Sequence, residues 1–130
     1  MNTYSYLILR LSVGMSMLGH GFVRIFKLKA FSDGMVSNFE ESMLPEIIVL
    51  PFSYVLPFAE LIVGILLIIG LWTRKALVTG GFIMVILIFG SSMIENWGAI
   101  PSQLIHSAFF ALLLHYLGDD TLSIDSWQDQ

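Results

Sequence analysis

The sequence has 130 residues, of which 56% are hydrophobic and 12% charged, with a net charge of −4 and no cysteine. A water-soluble domain carries about 45–50% apolar and about 25% charged residues, so a soluble globular class is excluded, and a mean hydropathy of +0.82 points to the membrane. The absence of cysteine excludes a disulfide, a thiolate nucleophile or an iron–sulfur cluster in this chain, and the acidic balance without a basic cluster argues against nucleic acid and against strong electrostatic binding to anionic lipid.

A helix crossing the bilayer core takes roughly 20 apolar residues. Runs of that kind occupy residues 4–23, 52–72, 76–94 and 101–117, and within them only Arg10 and Glu60 are charged. No Lys or Arg precedes the first run and no small-residue cleavage site follows it, so it reads as a retained helix rather than a signal peptide. It ends in Gly19-His20-Gly21, followed by Arg24, Lys27 and Lys29, cations suited to a helix C-terminus.

In the connection that follows, Phe31, Met35, Phe39 and Met43 recur every fourth residue while Asp33, Ser37, Glu40 and Glu41 fall elsewhere. This spacing predicts an amphipathic interfacial helix over 31–44, ended by Pro45, with an ordered loop as the alternative. The second run starts after Pro51 and ends at Trp72, an interfacial anchor. The turn Thr73-Arg74-Lys75 then makes the second and third runs an antiparallel hairpin. Pro101 suits the first turn of the fourth helix. Beyond Gly118 a segment with four Asp and no basic residue reads as an acidic, solvated tail over 118–130.

The fold class is therefore an all-α integral membrane bundle of four transmembrane helices, one domain over 1–117, with an amphipathic helix in its first loop. An even number of crossings puts both termini on one side. Arg74 and Lys75 on that side against Arg24, Lys27 and Lys29 on the other do not decide the orientation.

Intramembrane polar residues need a reason, since a charge at mid-bilayer costs at least ~2.5–3.5 kcal/mol. At about 1.5 Å per residue, Glu60 lies ~12 Å below the long-loop surface, His106 ~7.5 Å, His20 ~4.5 Å, and Gln103 and Tyr54 ~3 Å. Helix side chains lean toward their own N-terminus, so Glu60 and His20, on oppositely running helices, approach each other. These depths predict a pocket of His20, Glu60 and His106, roofed by Tyr54, Gln103 and Trp97 and open to the long-loop face.

Several readings of that pocket compete. Glu60 and a histidine could satisfy each other and fix the packing. The set could hold a small molecule or a quinone head group, with His and Tyr donating to carbonyls and Glu60 relaying a proton. Paired axial ligation of a b-type haem by His20 and His106 is a weak signal.

Arg10 either snorkels to the terminal side or pairs inside the bundle. Arg10, Gly14, Met17, Gly21 and Arg24 form one helical stripe whose glycines permit close approach, and a stripe facing protein would bury Arg10. Glu60 is its only intramembrane counter-charge, at a depth about 9 Å away. His115 lies on the opposite side of its helix from His106 and reads as interfacial. Gly64, Gly80 and Gly81 read as packing devices.

Leu9-Arg10-Leu11, Gly14, Gly19-His20-Gly21 and Lys27, followed by Pro57-Phe58-Ala59-Glu60, Gly64, Leu67 and Gly70-Leu71-Trp72-Thr73-Arg74, resemble the DoxX family of small prokaryotic membrane proteins. The resemblance runs to about Leu117 and is strongest in the first two spans. It implies a four-helix protein of the inner membrane with cytoplasmic termini, and Arg10, His20, Lys27 and Glu60 as motif positions. It also implies a redox association, because the family is named for relatives of the DoxD subunit of thiosulfate:quinone oxidoreductase.

The resulting expectation is a subunit that binds a quinone or similar small molecule and works with a redox partner protein. In it Glu60 and His20 are the catalytic pair, His106 orients the head group, and Arg10 and Lys27 supply positive charge. Tyr54, Gln103 and Trp97 complete the binding set, with no metal. A non-catalytic assembly protein and a small transporter or channel, built as a homo-oligomer, are the alternatives.

Overall fold

Backbone groups in hydrocarbon must find partners within their own segment, so the apolar runs fold as helices. The computed structural model describes residues 1–129. Its helices are α1 (Thr3–Ile25), α2 (Leu28–Asn38), α3 (Glu46–Ile69), α4 (Thr73–Met93), α5 (Ile100–His115) and α6 (Ile124–Gln128), and there is no strand among the described residues. α1, α3, α4, and α5 together with the 3-10 turn before it, are each long and apolar enough to cross a membrane. Their outward faces carry side chains such as Ile8, Phe82, Val85 and Ile105, as lipid contact requires.

The ends of the elements have local causes. Asn2 caps α1 by accepting the Ser5 amide at 2.8 Å. α2 stops at Asn38 rather than running to Pro45, because Ser42 takes over the backbone: its hydroxyl donates to the Phe39 carbonyl and accepts the Leu44 amide. The amphipathic helix is therefore present but shorter than its sequence pattern, and Met43 lies beyond it, 84% exposed.

α3 begins at Glu46, earlier than the expected start after Pro51, and runs through both Pro51 and Pro57. Pro51 falls near the loop-face end of α3, where water can serve the carbonyl that loses its partner. The same helix ends at Ile69, short of Trp72, where Gly70 turns left-handed (φ 71°) and the Leu71 amide closes onto the Leu66 carbonyl.

Helix pairing follows the glycines. A Cβ on Gly21 would stand 2.5 Å from the Leu61 nitrogen and the Pro57 oxygen, and one on Gly64 would strike the Leu18 backbone, so α1 and α3 meet backbone to backbone. α4 and α5 meet where Gly80 accepts the Phe110 ring. Near the terminal face the two pairs are joined by Tyr6, whose hydroxyl donates to the Leu113 carbonyl at 2.8 Å within a core that includes Leu67, Leu77 and Phe110. Toward the loop face they enclose a cleft, and α2 lies over it, tied to α3 by a buried Ser32–Ser53 hydrogen bond of 2.6 Å.

The acidic segment is not a solvated tail. It folds back against the terminal face as a strap, because a charge buried in α1 and the first amides of α4, which that helix's own N-cap residue leaves uncapped, both need its carboxylates. Asp120 pairs with Arg10, and Asp125 accepts the Trp72 and Thr73 amides, each at 2.8 Å. The Asp125 amide donates to the Gly70 carbonyl at 2.9 Å.

Candidate functional site

α1 presents two neighbouring stripes. Arg10, Gly14, Met17 and Gly21 face inward and are buried. One position round, Ser16, His20, Val23 and Lys27 line the cleft, which measures about 1220 Å³. Pockets for small molecules span about 300–1,000 Å³, so a head group and part of a chain can be housed.

The floor and roof are apolar. Phe31 and Met35 of α2, with Phe39 just beyond it, face Phe52 and Leu56 of α3 and Leu87 of α4. These are the first three members of the predicted amphipathic stripe. The Phe39 ring reaches across to α4, where a Cβ on Gly90 would stand 3.3 Å from its edge.

The polar groups gather at the rim. His20 Nδ1 donates to the Ser16 carbonyl at 2.7 Å, which leaves Nε2 as an acceptor. His106 Nδ1 donates to the Ser102 carbonyl, so its Nε2 accepts the Ser16 hydroxyl at 2.8 Å. The two imidazoles meet edge to face with centroids 6.4 Å apart. His106 thus spends both ring nitrogens on protein partners and has none for axial ligation, so this pair does not fit a haem.

Glu60 is buried and its carboxylate takes Arg24 Nη1 at 2.7 Å, not a histidine. A full counter-charge satisfies a desolvated carboxylate better than a neutral ring whose donor is already engaged. Arg24 also lies 4.6 Å over the Phe31 ring, bridging the buried acid and the cleft wall. On the opposite wall Gln103 donates to Ser91 at 2.9 Å, while its Oε1 is buried without a partner.

The predicted residues thus divide. His20, Lys27 and Gln103 line the cleft, whereas Glu60 and His106 stand behind it, each one hydrogen bond from a lining residue. Tyr54 and Trp97, 39% and 61% exposed, form no roof. Aromatic residues of this type at a membrane interface face the bilayer, and α2 covers the opening instead.

Arg10 takes no part in the cleft. It is buried in the half of α1 nearer the terminal face, donating from Nε to the Leu67 carbonyl at 2.8 Å and from Nη2 to the Leu122 carbonyl at 3.0 Å beside its ion pair with Asp120. It neither snorkels nor bridges to Glu60.

Three contributors went unread in the sequence: Arg24 as the partner of Glu60, Ser16 as the link between the imidazoles, and Ser91. Arg24 had a signal, since it closes the glycine stripe that faces α3. Ser16 had one too, a single turn before His20.

The DoxX family model matches residues 5–93. No curated protein and no solved structure matches the chain.

Proposed function

The chain belongs to the DoxX family, and on that premise we propose that it is a small-molecule-binding subunit of a membrane redox assembly whose cleft takes a quinone. The observation that carries this reading is His20: it lines a cleft with aromatic and aliphatic walls, and its Nδ1 bond to the Ser16 carbonyl leaves Nε2 as an acceptor. A quinol hydroxyl would donate to that nitrogen, and the imidazole would take the proton on oxidation. Arg24 and Lys27 would donate to the ring oxygens, with Glu60 holding Arg24 in place as its counter-charge. His106, through Ser16, fixes the neighbouring segment of α1.

Electrons would pass to or from a partner protein, since the chain has no cysteine for thiol redox chemistry of its own. In this proposal the protein lies in a prokaryotic inner membrane with both termini cytoplasmic and the cleft opening toward the other side.

Titrating the purified protein with a short-chain quinone analogue tests the reading. Saturable binding is expected, weakened about tenfold by His20→Ala, the loss that follows removal of one well-made hydrogen bond. Absence of binding, or equal affinity of the variant, overturns it.

A further inference from the structure

The charge on the cleft wall runs against the charge of the chain. The protein carries −4, and on the loop face acidic residues outnumber basic ones. Yet the charged side chains lining the cleft are Arg24 and Lys27, and no carboxylate lines it among the described residues. Overall acidity, which argues against non-specific attraction to anionic lipid, therefore says nothing about this one place.

The other cations are either paired or distant, Arg74 and Lys75 standing in the first turn of α4 at the opposite, terminal face. Arg10 is paired with Asp120 and Lys29 with Asp33, on the outer side of α2. Arg24 is balanced by Glu60, which sits behind it, but its ion pair uses only Nη1. Lys27, at the turn between α1 and α2, has no carboxylate within ion-pair distance among the described residues. One uncompensated positive charge and spare guanidinium donors thus stand at the polar rim of an apolar cleft.

We infer that the cleft also binds an anionic amphiphile, a carboxylate or phosphate head group on an apolar chain, in competition with the neutral ring proposed above. The head group would sit between Lys27 and Arg24, with His20 beside it. The chain would lie against Phe31, Phe52 and Leu56. Burial of the chain supplies affinity that both charged and neutral amphiphiles share, and Lys27 supplies the preference between them. This inference rests on the reading that the cleft admits membrane amphiphiles.

Spin-labelled stearic acid and its methyl ester, compared by electron paramagnetic resonance with the full chain in phosphatidylcholine vesicles, separate the two ideas. The ionised acid is expected to associate about fivefold more strongly than the ester, the preference that one cation near a membrane surface supplies. Lys27→Gln should remove that preference and Lys27→Arg should keep it. Lys29→Gln, outside the cleft, should leave it unchanged.

Equal association of acid and ester overturns the inference while the cleft as a ligand site survives. A preference that persists in Lys27→Gln overturns it as well, because the attraction is then a property of the surface. Failure of both probes to associate beyond the bulk lipid removes the cleft reading altogether. Spin-labelled phosphatidylglycerol against phosphatidylcholine identifies the source: a Lys27-dependent preference there assigns the head group to a phospholipid, and its restriction to stearate assigns it to a free acid.

Discussion

A guanidinium inside a membrane helix is tolerated when acceptors meet it, and Arg10 has three: the Asp120 carboxylate and the carbonyls of Leu67 and Leu122. Removing one member of a buried ion pair strands the other, at a cost of about 3–5 kcal/mol, whereas removing both costs far less. Arg10→Met is therefore expected to be strongly destabilised in detergent unfolding titrations, and Asp120→Leu added to it should recover much of the loss. That Arg10 needed a partner was legible in the sequence. The partner's identity was not, because Asp120 lies in a segment whose composition alone describes a solvated tail. Asp125 of the same segment shows how such a residue is held. Burial works against its charge, but the amides of Thr73 and Trp72 outweigh that and keep its carboxyl below the ordinary carboxylate range. A depressed folded value means stability present above the unfolded value, near pH 4, and lost as the pH falls through the folded one. Asp125→Ala should lower the thermal midpoint at pH 7 by the equivalent of about 1 kcal/mol, as loss of a helix cap does. The difference from the parent protein should close in acid.

At the scale of elements, the four spans were legible because hydropathy and helix length are both dictated by the bilayer. Boundaries were less so. α3 tolerates Pro51 where a run counted from the proline begins too late, and α2 stops where a serine, not a proline, claims the backbone. The glycine stripe of α1 was legible down to the face it buries, since only close backbone contact gives repeated glycines a physical use in lipid. Its consequence is position-specific. Gly21→Ala must push α1 away from Pro57 and Leu61, whereas Gly19→Ala meets nothing within 4 Å. Gly21→Ala is expected to lose about 1–3 kcal/mol in detergent unfolding, the range for overpacking. Gly19→Ala should be neutral or slightly stabilised, because alanine is the better helix former.

Taken whole, the molecule is two tightly paired helix couples, α1 with α3 and α4 with α5, clamped at the terminal face and parted at the loop face by the cleft under α2. Depth arithmetic brought His20 and His106 together correctly. It gave Glu60 a histidine and overlooked Arg24, one helical turn beyond His20 and just past the end of the first apolar run. Gly34 of α2 lines the cleft, and a side chain there meets open space. Gly34→Phe should therefore fill the cleft, reducing uptake of a quinone analogue by an order of magnitude or more by steric exclusion. Its thermal midpoint should not fall, since a helical glycine is replaced by a better helix former.

The clamp between Arg10 and Asp120 also orders events during synthesis. Arg10 enters the membrane with the first helix, and its counter-charge emerges from the ribosome 110 residues later. Until then the nascent chain carries an uncompensated cation in a segment with a mean hydropathy of 1.3, no higher than that of the uncharged fourth span and well below the 2.3 of α3. The first helix is therefore the one most dependent on insertion machinery or early pairing with α3. A chain released before Asp120 presents quality-control proteases with a bundle that has four spans and an unanswered charge.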